Sequence, residues 1–272
     1  KHYGFTCTVL WGLDDKGNIL PGSSNVKGLE ALDHADLMVI FTRFQDWADE
    51  DMEHINAYLE SGKPVIGLRT ATHAFHNKDN PKWNHYDFRY AGPKTEWKNG
   101  LGPMVLGETW VDHYGTNHKQ APRLVIEESQ KDHPIMRGVN NAWMQSGAYE
   151  VHPEQRGATV LATGQVLNGM TAEAPSDTTK PRLPVAWIRD YTLPGGKTGK
   201  SFATVHGASE DLLNDGFRRM LVNASLWAVG LEDQIKPDNN IAFVGPYQPT
   251  TFNFDGYKAN VKPSDLGGFE SL

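Results

Sequence analysis

Short apolar runs alternate with amphipathic segments along most of the chain. The run from 35 to 42 and the run from 65 to 68 have the length and composition of strands covered on both faces. Between them, residues 49 to 60 repeat apolar side chains at helical spacing and begin with acidic residues, which the helix dipole favours. This order of strand, helix and strand predicts a parallel α/β unit.

The alternation continues towards the C-terminus. Four further strands are predicted, at 123–127, 158–163, 183–189 and 201–206. A helix is predicted at 215–229, ending before Gly230. We therefore predict a three-layer α/β fold with a mostly parallel sheet and helices on both faces, as in flavodoxin-like proteins. The long polar loop 76–102 follows the second strand directly and is predicted to form a lid or a pocket wall.

The two ends of the chain have weaker patterns. Residues 6 to 11 alternate and are predicted to form a strand, with Cys7 buried in it as a small apolar side chain. The few residues before this segment look like the end of a helix, and a parallel α/β sheet normally begins with a strand. We therefore expect one strand and most of a helix to precede Lys1. The segment 232–272 lacks periodicity. We predict an α/β domain at 1–231 and an irregular tail at 232–272 that packs on the body or on a neighbouring subunit of a homo-oligomer.

Composition narrows the range of partners. The net charge is −7 and no basic run is present, so nucleic acid is not expected as a partner. No apolar stretch approaches the roughly 18 residues that cross a bilayer, and we expect a soluble protein of the cytoplasm or the periplasm. Eight Trp, nine Tyr and eleven His supply flat faces and neutral hydrogen-bonding groups that suit sugars. Tryptophan, however, is most often a packing residue.

Polar residues of chemical interest follow the second apolar run, at 69–73. Ligands gather at such strand ends in open α/β sheets. We expect a helix to begin here, with free N–H groups that receive an oxyanion or a sugar hydroxyl. The class I glutamine amidotransferase-like folds have a nucleophile elbow at the equivalent place, but Arg69 stands where those proteins have cysteine. Arginine stays protonated, so a functional glutamine amidotransferase is not expected.

An ordered series of segments resembles the ThuA-like family, named for trehalose utilisation, within that superfamily. The segments are 62–75, 115–118, 133–138, 184–187, 205–207 and 217–228. Family members often have His then Cys where this chain has Arg69 and Thr70, and an acidic pair where it has Ser146 and Gly147.

The resemblance implies a role in carbohydrate metabolism, with disaccharides, glycosides or their 3-keto derivatives as substrates. It also implies a nicotinamide-dependent sugar oxidoreductase as a partner. No Gly-x-Gly-x-x-Gly follows a strand in this chain, so the nicotinamide itself is not expected to bind here.

The strand ends are predicted to gather a first set of site residues, namely Arg43, Arg69, Thr70, Thr72 and His73. In the functional interpretation, Arg69 and helix N–H groups hold an oxygen while His73 transfers a proton near neutral pH. In the alternative, Arg43 and Arg69 pair with acids and only tie the strand ends together.

A second set of candidates lies later in the chain. His118 and His206 are predicted to transfer protons or to bind sugar, because both fall in segments that match the family. The substrate-binding candidates beside them are Trp110, Tyr114, Asn117 and Glu210. Glu210 could equally cap a helix. His113, His118 and His206 could instead bind a divalent metal, Zn²⁺ or Mn²⁺, because imidazole is a usual ligand of such ions.

Two functions of different classes remain open. The chain is either an enzyme that acts on an oxidised sugar by proton abstraction or hydrolysis beside a carbonyl, or a non-catalytic carbohydrate-binding or assembly module beside an oxidoreductase. The histidines and arginines at strand ends favour the first function, and the missing elbow thiol favours the second. A pocket that gathers His118, His206 and Arg69 around one ligand would support the enzyme. A shallow aromatic groove would support binding alone.

Overall fold

The computed structural model describes residues 2–251, 253 and 256–266. It contains eight strands and two α-helices within those residues. The strands are β1 (Met38–Ile40), β2 (Val65–Leu68), β3 (Asp112–Tyr114), β4 (Pro122–Ile126), β5 (Ala148–Glu150), β6 (Thr159–Val166), β7 (Leu183–Thr192) and β8 (Thr198–Thr204). The helices are α1 (Asp49–Glu60) and α2 (Asp215–Ala228), which agree with the helices predicted at 49–60 and 215–229.

The main sheet has six strands in the order β1-β2-β8-β7-β6-β4. Strands β1, β2 and β8 run parallel to one another, whereas β8, β7, β6 and β4 pair antiparallel. The sheet is therefore mixed, and its parallel part contains the predicted β1-α1-β2 unit. The carboxyl ends of β1, β2 and β8 lie at one edge, which brings together the residues that follow each of them. A separate antiparallel ribbon pairs β3 with β5.

The sheet is covered on both faces, which confirms the predicted three-layer α/β fold. A single π-helical turn at Gly102–Leu106 lies on one face. There the hydroxyl of Ser201 donates to the Val105 carbonyl oxygen at 2.8 Å, and the indole N–H of Trp187 donates to the Leu106 carbonyl oxygen at 2.6 Å. Helix α2 packs against β2 and β8 on the other face through buried side chains such as Phe217 and Met220.

Two local predictions were wrong. Residues 6 to 11 form no strand, and Cys7 is exposed rather than buried. This segment joins no ladder among the described residues, so its alternating pattern has no sheet to face. The second error concerns the segment after β2, which makes only a 3₁₀ turn at Arg69–His73 instead of opening a helix. The chain then pairs with the segment after β1, because Gln45 donates its amide N–H to the Ala74 carbonyl oxygen at 2.7 Å.

The loop at 76–102 packs largely upon itself. The Trp97 ring lies 4.6 Å from that of Tyr86 and 4.7 Å from that of His85, measured between centroids. Trp83 packs on the same rings. This aromatic cluster, rather than a regular element, holds the loop against the body. Phe88, from the same loop, contributes to the strand-end edge described below.

The described part of the tail lies against the body. Arg218 and Arg219 of α2 donate to the carbonyl oxygens of Ile241 and Asn239 at 3.1 and 3.0 Å. Further along, the Tyr247 hydroxyl donates to the Ser209 carbonyl oxygen at 2.7 Å. Residues 252, 254, 255 and 267–272 of the predicted tail lie outside the described residues. Among the residues that are described, no helix is both long and apolar enough to cross a bilayer.

Candidate functional site

Arg69 is the first residue after β2 and occupies the elbow. Its φ angle is 44°, a left-handed conformation that is costly for a side chain of this size and recurs at functional sites. The side chain is only 7% exposed. Its Nη1 donates to the carbonyl oxygens of Gly147 at 3.0 Å and Val205 at 3.3 Å, and its Cζ lies 5.1 Å from the centre of the Tyr149 ring. These contacts hold a cationic group at the carboxyl edge of the parallel strands.

His73 lies in a cage of aromatic rings beside Arg69. Its ring centroid is 5.3 Å from that of Phe44, 5.4 Å from that of Trp110, 5.9 Å from that of Tyr149 and 6.2 Å from that of Phe88. We call these five residues the His73 cluster. Phe44 is 40% exposed and Trp110 is half-buried, so the cluster reaches solvent on that side.

The electrostatics of the cluster keep the imidazole neutral. Burial lowers the pKa of His73 to about 3, with further contributions from the charges of Arg43 and Arg69. The pKa of His113, an exposed residue, is also lowered, mainly by partial desolvation where its ring packs on Trp110 and Tyr149 and then by the charge of Arg69. His73 therefore offers a free base at neutral pH. Its Nδ1 lies 3.1 Å from the Thr72 hydroxyl, and Nε2 is the second ring nitrogen of a side chain that is 4% exposed.

A buried carboxylate lies behind Arg69. Asp211 is 1% exposed and accepts the amide N–H of Ser146 at 2.9 Å and those of Gly207 and Ala208 at 3.0 Å each. The Ser146 hydroxyl also donates to this carboxylate and lies 3.3 Å from Nδ1 of His206. The network is closed to solvent, since His206 and Ser146 are both 0% exposed.

The predicted partners His118 and His206 lie in different environments. His206 is fully buried, and burial lowers its pKa to about 4, so in this conformation its ring does not contact a ligand. His118 is exposed, with a φ angle of 60°. The structure therefore does not gather His118, His206 and Arg69 around one ligand. It gathers Arg43, Arg69 and His73 instead, three members of the first predicted set.

The remaining candidates are distributed around the cluster. Thr72 is buried next to His73, and Thr70 is half-buried in the same turn. The Tyr114 hydroxyl donates to the Pro181 carbonyl oxygen at 2.7 Å, so its polar group already has a structural acceptor. Asn117 packs on Gly147, where an added Cβ atom would lie 2.5 Å from Asn117 Oδ1.

Glu210 lies on a separate surface. It lines a cavity of about 530 Å³ together with Trp143 and Gln145, and that cavity shares no residue with the His73 cluster. Its Oε1 accepts a hydrogen bond from the Thr251 hydroxyl at 3.1 Å. The capping role considered for Glu210 belongs to its neighbour Asp211, which accepts the amide N–H of Ala208 at the start of the Ser209–Leu213 turn.

The proposed metal ligands do not form a set. Within residues 2–251, 253 and 256–266, no three His, Cys, Asp or Glu side chains lie close enough together to hold a metal ion. His113, His118 and His206 in particular combine two exposed side chains with one fully buried side chain.

Sequence reasoning missed the aromatic members of the site, Phe44, Phe88 and Tyr149, as well as Asp211. Phe44 directly follows Arg43, and its φ angle of 54° aims the chain back towards His73, whose carbonyl oxygen accepts the Phe44 amide at 3.1 Å. Because Arg43 was predicted from its position at a strand end, the same position could have indicated its neighbour Phe44 as a site residue. No local signal marks Tyr149, which belongs to the three-residue strand β5.

Comparisons with known proteins place the chain in a family. The chain is similar to two crystal structures of putative ThuA-like proteins. One, from Bacteroides uniformis, is 15% identical over 77% of this chain and 75% of its own, with a TM-score of 0.46. The other, from Parabacteroides merdae, is 15% identical over 78% of each chain, with a TM-score of 0.40. No curated protein shows significant similarity. The model of the ThuA family, described as trehalose utilisation, matches residues 23–228, and the chain therefore belongs to the ThuA family.

Proposed function

We propose that this chain binds an oxidised sugar at the His73 cluster and removes a proton from the carbon next to its carbonyl group. The sugar would be the 3-keto derivative of a disaccharide or glycoside. Membership of the trehalose-utilisation family supports a role in carbohydrate metabolism. The observation that carries the proposal is a neutral imidazole, enclosed by aromatic rings, that lies close to two arginines.

The cluster has the mixture of surfaces that sugar recognition needs. Aromatic faces cover the apolar C–H face of a pyranose, while a few placed polar groups orient the ring. Here Phe44 and Trp110 supply accessible faces. Arg43, Arg69 and Nε2 of His73 supply the polar groups, and both arginines are close enough to alter the His73 pKa.

The same groups suit proton transfer beside a ketone. A carbonyl group acidifies the C–H bonds of the neighbouring carbons. Nε2 of His73 takes the proton, the C–H electron pair forms a carbon–carbon double bond, and the carbonyl electrons move to oxygen to give an enolate. The two guanidinium groups stabilise that negative charge. The enolate in turn offsets the positive charges that lower the pKa of His73, so the imidazole becomes a stronger base as the reaction proceeds.

A second function is favoured by a specific observation. In the protein without a ligand, the pKa of His73 is about 3. A general base works best when its pKa is close to the pH at which the enzyme operates, and this pKa is far below such a value. The elbow also presents Arg69 in place of a thiol. A non-catalytic module that binds sugar beside a nicotinamide-dependent oxidoreductase would need only the aromatic faces and the arginines. In both functions such an oxidoreductase would act on the same sugar.

Proton NMR in D₂O separates the two functions. The full chain is incubated with a 3-keto-glucoside and, in parallel, with the parent glucoside. Proton abstraction predicts protein-dependent exchange of deuterium into the carbon next to the ketone, abolished in His73→Gln and retained in the exposed control His34→Gln. Line broadening without exchange in the wild type would overturn the catalytic function and support binding alone. If the wild type shows no exchange and no line broadening, both functions are overturned.

A further inference from the structure

The carboxylate of Asp211 connects two segments that are distant in the sequence. One segment contains Ser146, which donates its amide N–H to Asp211 Oδ1 at 2.9 Å. The other contains Gly207 and Ala208, whose amide N–H groups donate to Oδ2 at 3.0 Å each. A carboxylate with several N–H donors is a strong and geometrically specific acceptor. Asp211 therefore fixes the two segments relative to each other.

The same two segments carry the acceptors of Arg69. Gly147 directly follows Ser146, and its carbonyl oxygen accepts from Arg69 Nη1 at 3.0 Å. Val205 lies two residues before Gly207, and its carbonyl oxygen accepts from the same nitrogen at 3.3 Å. One buried carboxylate thus sets the positions of two carbonyl groups that accept hydrogen bonds from the guanidinium.

The backbone conformation of Arg69 does not by itself fix the position of the guanidinium group. Its φ angle of 44° is a conformation that L-residues rarely adopt, and the surroundings must impose it. The long side chain then needs fixed partners at its tip, because a charge that stabilises a reaction has to be placed before the reaction begins.

We propose that Asp211 is a positioning residue of the site, which fixes the Ser146–Gly147 and Val205–Ala208 segments and thereby places the Arg69 guanidinium under Tyr149 and beside His73. This inference rests on the proposed function for its catalytic consequence, but not for its structural one. Asp211 is 1% exposed and does not itself contact a substrate.

Two measurements test the proposal, and only one of them needs activity. The first is NMR of protein labelled with ¹⁵N-arginine, in which the signals of Arg69 are assigned by their loss in Arg69→Lys. A guanidinium held by two carbonyl groups rotates slowly and gives resolved Nη–H signals. In Asp211→Asn we expect these signals to average, whereas the exposed control Asp190→Asn keeps them resolved.

The second measurement is the rate of deuterium exchange into the 3-keto-glucoside. We expect kcat to fall roughly 10- to 100-fold in Asp211→Asn with a smaller change in KM, because a misplaced guanidinium loses stabilisation of the enolate more than binding of the ground state. Asp190→Asn should match the wild type. Resolved Arg69 signals in Asp211→Asn would overturn the proposal, whatever the value of kcat. Averaged signals with an unchanged kcat would overturn its catalytic consequence.

Ser146→Ala keeps the test decisive if Asp211→Asn does not fold. It removes the hydroxyl contact to Asp211 but keeps the three backbone N–H donors. We expect partial averaging of the Arg69 signals, and signals identical to the wild type would overturn the proposal. If the wild type shows no exchange at all, the proposed function fails, while the Arg69 signals still report whether Asp211 positions the guanidinium.

Discussion

Arg69 and Gly147 are 78 positions apart in the sequence, yet Nη1 of Arg69 donates to the Gly147 carbonyl oxygen at 3.0 Å. This contact joins the end of β2 to the segment before β5, and it holds the Arg69 guanidinium at the carboxyl end of the strand.

Arg69→Lys should weaken binding of a 3-keto-glucoside. An ammonium group keeps the charge but lacks the planar guanidinium whose Nη1 donates to two carbonyl groups and whose Cζ lies over the Tyr149 ring. We expect roughly a tenfold loss of affinity, about 1.4 kcal/mol, measured by isothermal titration calorimetry. Arg182→Lys, at an exposed position, should bind like the wild type. Equal affinities of Arg69→Lys and wild type would show that Arg69 does not contact the ligand.

Gly67→Ala should destabilise the fold at the approach to the elbow. An added Cβ atom would lie 2.6 Å from Cδ1 and 2.9 Å from Cδ2 of Leu106, a residue that is 0% exposed and has no room to move away. Overpacking of this kind costs about 1–3 kcal/mol, measurable by urea denaturation. In a Leu106→Ala background the cost should shrink, since the obstructing atoms are absent. Strictly additive effects would contradict this contact.

Stability should decrease as the pH falls below about 6.5. Burial lowers the pKa of His73 to about 3 and the pKa values of His85 and His206 to about 4, from 6.5 in the unfolded chain. Between those values the unfolded state binds protons that the folded state does not, so the stability present above pH 6.5 is lost towards pH 4. Each group contributes up to about 1.4 kcal/mol per pH unit.

The measurement is urea denaturation at pH 7.5, 6.5, 5.5 and 4.5. His73→Gln should show a shallower dependence than the wild type, and His34→Gln should show the same dependence as the wild type. A free energy of unfolding that stays constant from pH 7.5 to 4.5 would contradict the buried, neutral state of these histidines.

The catalytic rate should show no inflection near pH 6.5. A histidine with its ordinary pKa would gain activity as the pH rises through that value, but His73 is already unprotonated at pH 5 because its pKa is about 3. Rates of protein-dependent deuterium exchange between pH 5 and pH 8 should therefore be level after subtraction of the uncatalysed reaction. A rise of about tenfold per pH unit below 6.5 would point to a different base.

The sequence predicted the elements whose periodicity is strong. Helix α1 and strand β2 have clear patterns and lie where they were expected. The segment at 6–11 has an equally clear alternation but forms no strand, because alternation records a preference for a sheet and not the presence of a neighbouring strand. The helix expected after the elbow failed for a similar reason. Pairing of Ala74 with Gln45 across the strand ends outweighs the local helical preference.

Only those residues of the candidate site that follow strand ends could be predicted from the sequence. Arg69 directly follows β2, His73 ends the turn that begins there, and Arg43 lies shortly after β1, so the parallel topology brings them to one edge. Tyr149 lies in the separate β3–β5 ribbon and Asp211 lies in the turn after β8, and neither has a local pattern that marks it. His206 also follows the end of a strand, yet its side chain is fully buried. A position at a strand end does not determine how deeply a side chain is buried.

Binding of sugar at the His73 cluster is tested most directly by histidine NMR. In ¹³C-histidine-labelled protein, the Cε1–Hε1 signals are followed during titration with a 3-keto-glucoside, with His73 and His113 assigned by substitution. We predict that the signals of His73 and His113 shift together and saturate, while those of His34 and His133 stay in place. Saturable binding that leaves His73 unmoved would contradict the account, because the ligand would then lie elsewhere on the protein.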